Sequence, residues 1–405
     1  MSKEHIVVIG AGVVGVSTAY VLARDGYQVT LIDERSQAGE VTSAGNAAQL
    51  SWAYGDAMAS PALLRHLPGI IMGRDPAFCL ECRLDLDFLL WGLRFLANCS
   101  RRAWWANTRA NLELAELSRL EMEHLTCRLD LDFGYRIAGK LHLYPDAASL
   151  EAAQGGVRKK QEAGLVEQVV DRAAAERIEP VLAGYAGEIA GAIHTPGDAV
   201  GDAAAFCRGL AAYLQRNGVR LLFGYRVASF RTRAGALWSV RFTDREELGT
   251  TRAVLATGPT AAALGAFAPE ARAIQPVRGY SLTVPAVPGA PRVSLTDVKR
   301  KLAFVHLGDR CRVAGLADLL PAGNGFDADR LAALRQAAQA VLPRFWGDDS
   351  LGTAWSGERP MTACSVPIIA PSRRLRGLYL NIGHGMLGWT LALGSARRLL
   401  QVLQA

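Results

Sequence analysis

The segment Gly10-Ala-Gly12-Val-Val-Gly15 constrains this chain most, because of what stands on either side of it. Before it, His5 to Ile9 is an unbroken apolar run, as expected of a parallel strand buried on both faces. After it, Val14 to about Arg24 has helical apolar spacing, Gly26 ends the helix, and Tyr27 to Ile32 reads as a second buried strand closing on Asp33. Together these make a complete βαβ unit. Gly10 permits the tight turn, Gly12 lets the backbone approach a pyrophosphate, and Gly15 allows the helix to pack closely on the strand. The helix start then offers free N–H groups and a positive dipole end to phosphates. Asp33 is placed to accept a hydrogen bond from a ribose hydroxyl.

Beyond this unit, Thr42 to Gln49 is small and polar, as suits a loop or helix start lying against a ligand. A long helix is expected over about 100–126, a half-buried strand over Lys140 to Tyr144, and a helix from Ala147 to about Ala163. Strands follow at Gly218 to Phe223, Val227 to Phe230 and Leu237 to Phe242. Ala253 to Gly258 reads as a buried strand ending in glycine, a pattern that suits a strand end meeting a cofactor. The stretch 280–315 is β-rich, Leu331 to Val341 reads as a helix, and Leu378 to Ile382 as a strand. That strand runs into the glycine loop Gly383 to Gly388 and a closing helix from Trp389 to Leu403, a second place where a helix start can face a polar ligand group. Nucleotide-binding elements thus lie at both ends and in the middle of the chain. The expected architecture is α/β, with a Rossmann-like dinucleotide-binding domain (1–55, 190–275 and 355–405) interleaved with an α+β substrate domain (56–189 and 276–354) on a mostly antiparallel sheet.

Composition narrows the function classes. The chain has 405 residues, 50% hydrophobic and 20% charged, which fits a globular protein of two or three domains and excludes a disordered one. No apolar run approaches the roughly 20 residues of a membrane-spanning helix; the most apolar, Phe88 to Ala97, is short and contains Arg94. The start lacks a signal-peptide cleavage pattern, so the expected location is cytoplasmic. The net charge of +7, from 45 basic and 38 acidic residues, is spread along the chain, and no nucleic-acid motif is present, so no nucleic-acid partner is expected. Seven cysteines without a secretion signal argue against a disulfide framework, and Cys79-Leu-Glu-Cys82 has neither a second pair nor a histidine pair to complete a metal site. No Ser-His-Asp, metal-ligand or paired-carboxylate set is visible.

The sequence resembles the flavin-dependent amine and amino-acid oxidoreductases of the D-amino-acid oxidase superfamily, and within it most nearly the bacterial D-amino-acid dehydrogenase small subunits. The resemblance runs from Ile6 almost to Leu400. It is carried, in order, by Val8-Ile-Gly-Ala-Gly-Val-Val-Gly-Val16, Thr42-Ser-Ala-Gly-Asn-Ala-Ala-Gln-Leu-Ser51, Pro196-Gly-Asp-Ala-Val-Gly-Asp202, Pro276-Val-Arg-Gly-Tyr-Ser-Leu282, Trp355-Ser-Gly-Glu-Arg-Pro-Met-Thr362 and Asn381-Ile-Gly-His-Gly-Met-Leu-Gly-Trp-Thr390. Spacing alone does not choose between dinucleotides; the resemblance implies FAD. It also implies that Gly10, Gly12, Val14 and Gly15 hold the pyrophosphate, that Asp33 and Arg35 meet the adenosine side, and that the backbone of Val227 meets the adenine. Thr42, Ser43, Asn46, Ala47 and Gln49 would run beside the flavin, Thr257 and Gly258 would lie at the strand end under it, and Gly385, Met386, Leu387 and Gly388 would close over its pyrimidine end.

For catalysis the resemblance implies Arg359 as the carboxylate anchor, a role that suits the planar two-donor guanidinium. Tyr280 is a candidate to cap the substrate with its hydroxyl, and His384 a candidate for proton transfer, each against a structural alternative. Asp198, Asp202 and Glu358 are expected to be structural. The implied reaction is FAD-dependent oxidative deamination of a D-amino acid by hydride transfer from its α-carbon to flavin N5, with electrons passed to a quinone or other carrier. Oxidation of glycine, sarcosine or a cyclic imino acid such as a D-hydroxyproline is the alternative, as is a catalytic subunit active only in a larger complex. A quinone acceptor leaves room for peripheral attachment to the inner face of the cell membrane. Ser51-Trp52-Ala53 and Thr362-Ala-Cys-Ser-Val-Pro367 depart from the family pattern near the expected pocket, which bears on substrate and not on cofactor.

Overall fold

The structure is a computed structural model and describes residues 3–81, 83–321, 326–345 and 352–405. Cys82, half of the Cys-x-x-Cys pair, lies outside the described residues.

A six-stranded sheet carries the nucleotide-binding elements. Its order is Arg220–Phe223, Tyr27–Asp33, Lys3–Ile9, Ala253–Leu255, Leu378–Ile382 and Ile368–Pro371. All pairs are parallel except the last, where an antiparallel strand closes the edge. The first strand shows why an unbroken apolar run is needed: Ile6 and Val8 enter the core on one face, Val7 and Ile9 the core on the other. On the first face pack helix α1 (Val13–Arg24), the helix Ala203–Arg216 and the C-terminal helix Gly388–Gln404. A three-stranded sheet, Val227–Arg233, Ala236–Phe242 and Leu248–Gly249, covers part of the other face through Phe230, Leu237, Val240 and Phe242.

A nine-stranded sheet forms the second half. Its main path runs Thr353–Thr362, Ile274–Pro285, Arg310–Leu319, Leu302–Leu307, Ser294–Asp297, Lys140–Tyr144, Gly191–Thr195 and Gln168–Asp171, and Phe78–Leu80 pairs beside Arg310–Leu319. Pairing is antiparallel apart from two parallel contacts. Two strands that fall within or across the ranges expected for the nucleotide-binding part pair into this sheet: Gly191–Thr195 with Lys140–Tyr144, and Thr353–Thr362 with Ile274–Pro285. Sheet pairing thus crosses the expected boundaries at 190 and 355, because apolar alternation reports a strand but not the ladder it joins.

Between the first strands and the long helix α4 (Arg101–Thr126) lie two helices that the sequence reading does not assign, α2 (Pro61–Ile71) and α3 (Leu86–Asn98). Their start signals are present: Ser60 accepts from the Leu63 amide with Pro61 next in line, and Asp85 accepts from the Phe88 amide. α3 is seated by Trp91, which stacks on Phe95 at 5.1 Å and donates through Nε1 to the Met361 carbonyl at 3.0 Å. Among the described residues no helix is long and apolar enough to cross a membrane.

Candidate active site

A single cavity of about 1510 Å³ runs between the two sheets and is lined from both. At its nucleotide end lie Gly10, Gly12, Val14, Asp33, Arg35, Val227, Thr257 and Gly258. The three glycines of the turn have different reasons to be glycine. Gly10 has φ +101°, and a Cβ on it would stand 2.5 Å from the Ala256 carbonyl oxygen; one on Gly15 would stand 1.7 Å from the carbonyl oxygen of Gly10. On Gly12 it would meet nothing nearer than Ser43 Oγ at 3.5 Å, so the fold itself leaves this space open in front of α1. α1 starts with no side-chain cap from Gly12 and no acid in its first turn; Ser43 Oγ accepts from the Val13 amide at 3.1 Å. A helix start with no N-cap side chain and no acid in its first turn is suited to a phosphate. Asp33 accepts from the amides of Ala11 at 2.5 Å and Arg35 at 2.8 Å, and burial raises its carboxyl above the ordinary value.

The middle of the cavity is formed by the segment 42–51. Thr42 donates to the Glu358 carbonyl at 2.8 Å, tying the segment to the large sheet. Asn46 Oδ1 accepts from the Ala48 amide at 2.9 Å, and its carbonyl accepts from Arg312 at 3.0 Å. Gln49 donates to Ser294 Oγ at 2.6 Å. Ala48 adopts φ +57°, a costly left-handed conformation for a residue with a Cβ, of the kind that tends to cluster at ligand sites. Opposite, Gly385, Met386 and Leu387 form a 3-10 turn that leads into the C-terminal helix at Gly388, again with no side-chain cap.

Arg359 lies on Thr353–Thr362 and faces the cavity. Its guanidinium crosses Gly279 on the neighbouring strand, where a Cβ would be 2.0 Å from Nη2, and it donates to the Leu316 carbonyl at 2.8 Å. Leu316 itself has φ +59°, which turns that carbonyl toward the arginine. The acids beside it are engaged elsewhere: Glu358 with Arg278 at 3.1 Å, and Asp318 with Arg330 at 2.5 Å. Burial pushes the guanidinium down to about 10 while Asp318 opposes the shift, so it stays charged at neutral pH. Trp355 also lines the cavity, its indole fixed between Gly45 and Gly357, where added Cβ atoms would come within 2.2 and 2.1 Å of it.

His384 is buried in the cavity wall, with Nε2 lacking a hydrogen-bond partner, and burial lowers its pKa to about 3. Tyr280 is placed elsewhere. It is fully buried in the core behind the large sheet with Leu282, Phe304 and Phe345 and does not line the cavity, so the expectation that its hydroxyl meets substrate is corrected. Strand alternation is the reason: Gly279 turns to the arginine side and Tyr280 to the other. Asp198 accepts from the Trp52 and Ala53 amides at 2.9 and 3.4 Å, and Asp202 caps the helix Ala203–Arg216; with Glu358 paired to Arg278, all three acids have structural partners.

The sequence reading missed a polar group at one wall: Tyr54, Lys140, His142, Lys160 and Glu167. The Tyr54 ring faces the cavity, stands 4.4 Å from the His142 ring, and has the ammonium groups of Lys140 and Lys160 at 4.7 and 5.3 Å. Lys160 is paired with Asp56 at 2.7 Å and Glu167 at 3.3 Å. Lys140 instead donates to Ser51 Oγ at 2.9 Å, and burial pushes its pKa down to about 8 against the pull of Asp198. A signal was present: in Lys140-Leu-His142-Leu-Tyr144 the leucines enter the core and the polar residues line the cavity.

An open glycine turn on a parallel sheet, joined to a cavity with a charged arginine on its far wall, defines a nucleotide-dependent enzyme of the two-sheet type. The chain belongs to the FAD dependent oxidoreductase family, whose pattern matches residues 5–402. It is 38% identical over 403 residues to D-amino acid dehydrogenase 2 of Ralstonia nicotianae, covering 97% of this chain and 94% of that one. It is 37% identical over 401 residues to a D-amino acid dehydrogenase of Paramagnetospirillum magneticum, with 97% and 93% covered. The fold is shared with glycine oxidase from Bacillus cereus, at TM-score 0.75 and 18% identity over 99% of this chain and 95% of that one. The cofactor is FAD, and the space at Gly12, the acid-free start of α1 and the partnerless buried hydroxyl of Thr257 fit it.

Proposed function

We propose that this protein is an FAD-dependent dehydrogenase that oxidises D-amino acids to 2-oxo acids and ammonia and passes the electrons to a quinone or other carrier, at a membrane where that carrier is lipid-soluble. The observation that carries the reading is Arg359: a guanidinium open to the cavity, with no carboxylate in an ion pair with it among the described residues.

FAD supplies the acceptor for the hydride that leaves the substrate α-carbon. It would be held by Gly10, Gly12, Val14, Gly15, Asp33, Arg35 and Val227 at the nucleotide end. Thr42, Ser43, Asn46, Ala47, Gln49, Thr257, Gly258 and Gly385 to Gly388 would hold the ring end. Arg359 grips the substrate carboxylate in two parallel hydrogen bonds, and this fixes which face of the α-carbon is offered. Trp355, immobilised between its two glycines, gives the pocket a rigid apolar wall. Burial favours the neutral form of His384, which takes its place in the cavity wall. The substrate enters as the free amine, whose lone pair assists loss of the α-hydrogen, and no strong protein base is required. The imino acid hydrolyses in water after release.

Turnover of paired enantiomers with a dye as electron acceptor tests the reading. The expected result is a preference for the D form of about tenfold or more in kcat/KM; equal turnover, or preference for the L form, contradicts it.

A further inference from the structure

α3 is apolar in two directions. One stripe is turned inward: Trp91, Phe95 and Cys99 lie in a small core with Val277, Met361 and Ala363, and Phe88 on the same side is buried. Leu86, Leu89, Leu90, Leu93 and Leu96, which are 39–69% exposed, project the other way. At the helical repeat these five fall within an arc of about 120° opposite the buried stripe. Leu84 just before the helix is 93% exposed, and α2, seated on the same core through Leu63, carries exposed Leu64 and Ile71, with exposed Met72 at its C-cap. Single exposed leucines are ordinary, but five on one stripe of a single helix mark an interaction surface.

The border of the patch indicates what covers it. Arg65 on α2, Arg74 after it, Arg94 on α3 and Arg101 and Arg102 at the start of α4 are all exposed, and they outnumber the exposed acids of the same stretch, Glu81, Asp85 and Asp87. Trp104 and Trp105 stand half-buried at the start of α4, the side chains favoured where apolar and aqueous phases meet. A two-fold contact with a second copy would set this arginine-rich border against itself. The active-site cavity reaches the same edge of the molecule, since Pro61, Leu63, Arg65 and His66 of α2 and Arg101 and Trp104 of α4 are among its lining residues.

We propose that the face built from α2, α3 and the start of α4 docks on an anionic lipid bilayer, with α3 lying in the plane of the interface. Its leucines enter the acyl boundary and the arginines meet headgroup phosphates. Docked so, the cavity mouth lies at the membrane surface, where a lipid-soluble electron acceptor can reach it; only that consequence rests on the function proposed above.

Flotation of the full-length, FAD-loaded protein with vesicles tests the surface directly. The wild type is expected to float with vesicles of equal parts phosphatidylcholine and phosphatidylglycerol and less with phosphatidylcholine alone. A Leu89→Glu/Leu93→Glu variant loses partition by about tenfold or more, and Arg101→Glu/Arg102→Glu loses the preference for the anionic vesicles. Retained flavin absorbance shows that both variants are folded. The proposal is overturned if the wild type stays in the soluble fraction, or if the leucine variant floats equally well. It is also overturned if light scattering shows a wild-type dimer that the leucine variant splits, because then a second copy covers the face. Bleaching of the flavin by D-amino acids without vesicles tests the proposed function separately, so the two can fail independently.

Discussion

The arginine that carries the functional reading depends on a residue with no side chain. Gly279 leaves the slot through which Arg359 reaches the cavity, and the left-handed Leu316 offers the carbonyl that aims it. Gly279→Ala therefore displaces the guanidinium without touching the nucleotide end. Loss of a charge-assisted contact of about 1.5–3 kcal/mol should raise KM roughly ten- to hundredfold. Bound FAD should be retained, and steady-state kinetics with an absorbance spectrum checks both; unchanged KM would show that Arg359 does not hold the carboxylate. Arg359 was legible in the sequence only through the family resemblance, whereas Gly10 and Gly15 were legible from geometry alone. The group around Tyr54 was legible only in the alternation of Lys140–Tyr144, because residues 54, 140, 160 and 167 meet only once that strand is paired into the large sheet.

At the scale of elements, the segment that runs beside the expected flavin is held from below by buried charge. Asp198 accepts from the Trp52 and Ala53 amides, Lys140 donates to Ser51, and the Ser51 amide donates to Thr390. Burial raises the Asp198 carboxyl from 3.8 to about 6, opposed by Lys140 and by the two amides. The folded state thus binds its proton more tightly than the unfolded one. The associated stability is complete below the unfolded value and is lost as pH rises through the folded one. Asp198→Asn keeps an acceptor for the amides but cannot ionise, so its Tm relative to wild type should climb as pH rises from about 4 to about 6. A constant difference across that range would mean that Asp198 is not the buried acid described. Regular elements with one clear period are legible in the sequence, the βαβ unit and Lys140–Tyr144 among them. α3 is not, because apolar residues on both its faces hide the helical repeat, and the stretch matches no simple pattern except a membrane span too short to cross.

At the scale of the molecule, two sheets share one cavity, and the chain passes between them several times. The interleaving was legible because nucleotide-binding motifs stand far apart in sequence; the sheet that each connecting strand joins was not. Thr353–Thr362 is the strand where this matters most for the site. Paired in the large sheet, it brings Arg359 to the wall facing the segment 42–51, and Thr42 bonds back to it through Glu358. The central claim is that the nucleotide end and Arg359 act on one substrate in one cavity. The most direct test is an anaerobic absorbance titration of the purified, FAD-loaded protein with D- and L-amino acids, glycine, sarcosine and prolines. The account predicts that D-amino acids bleach the flavin band, one equivalent per flavin, with release of the matching 2-oxo acid. A flavin left oxidised by every D-amino acid, or bleached only by an L-amino acid or by a compound without a carboxylate, would contradict it.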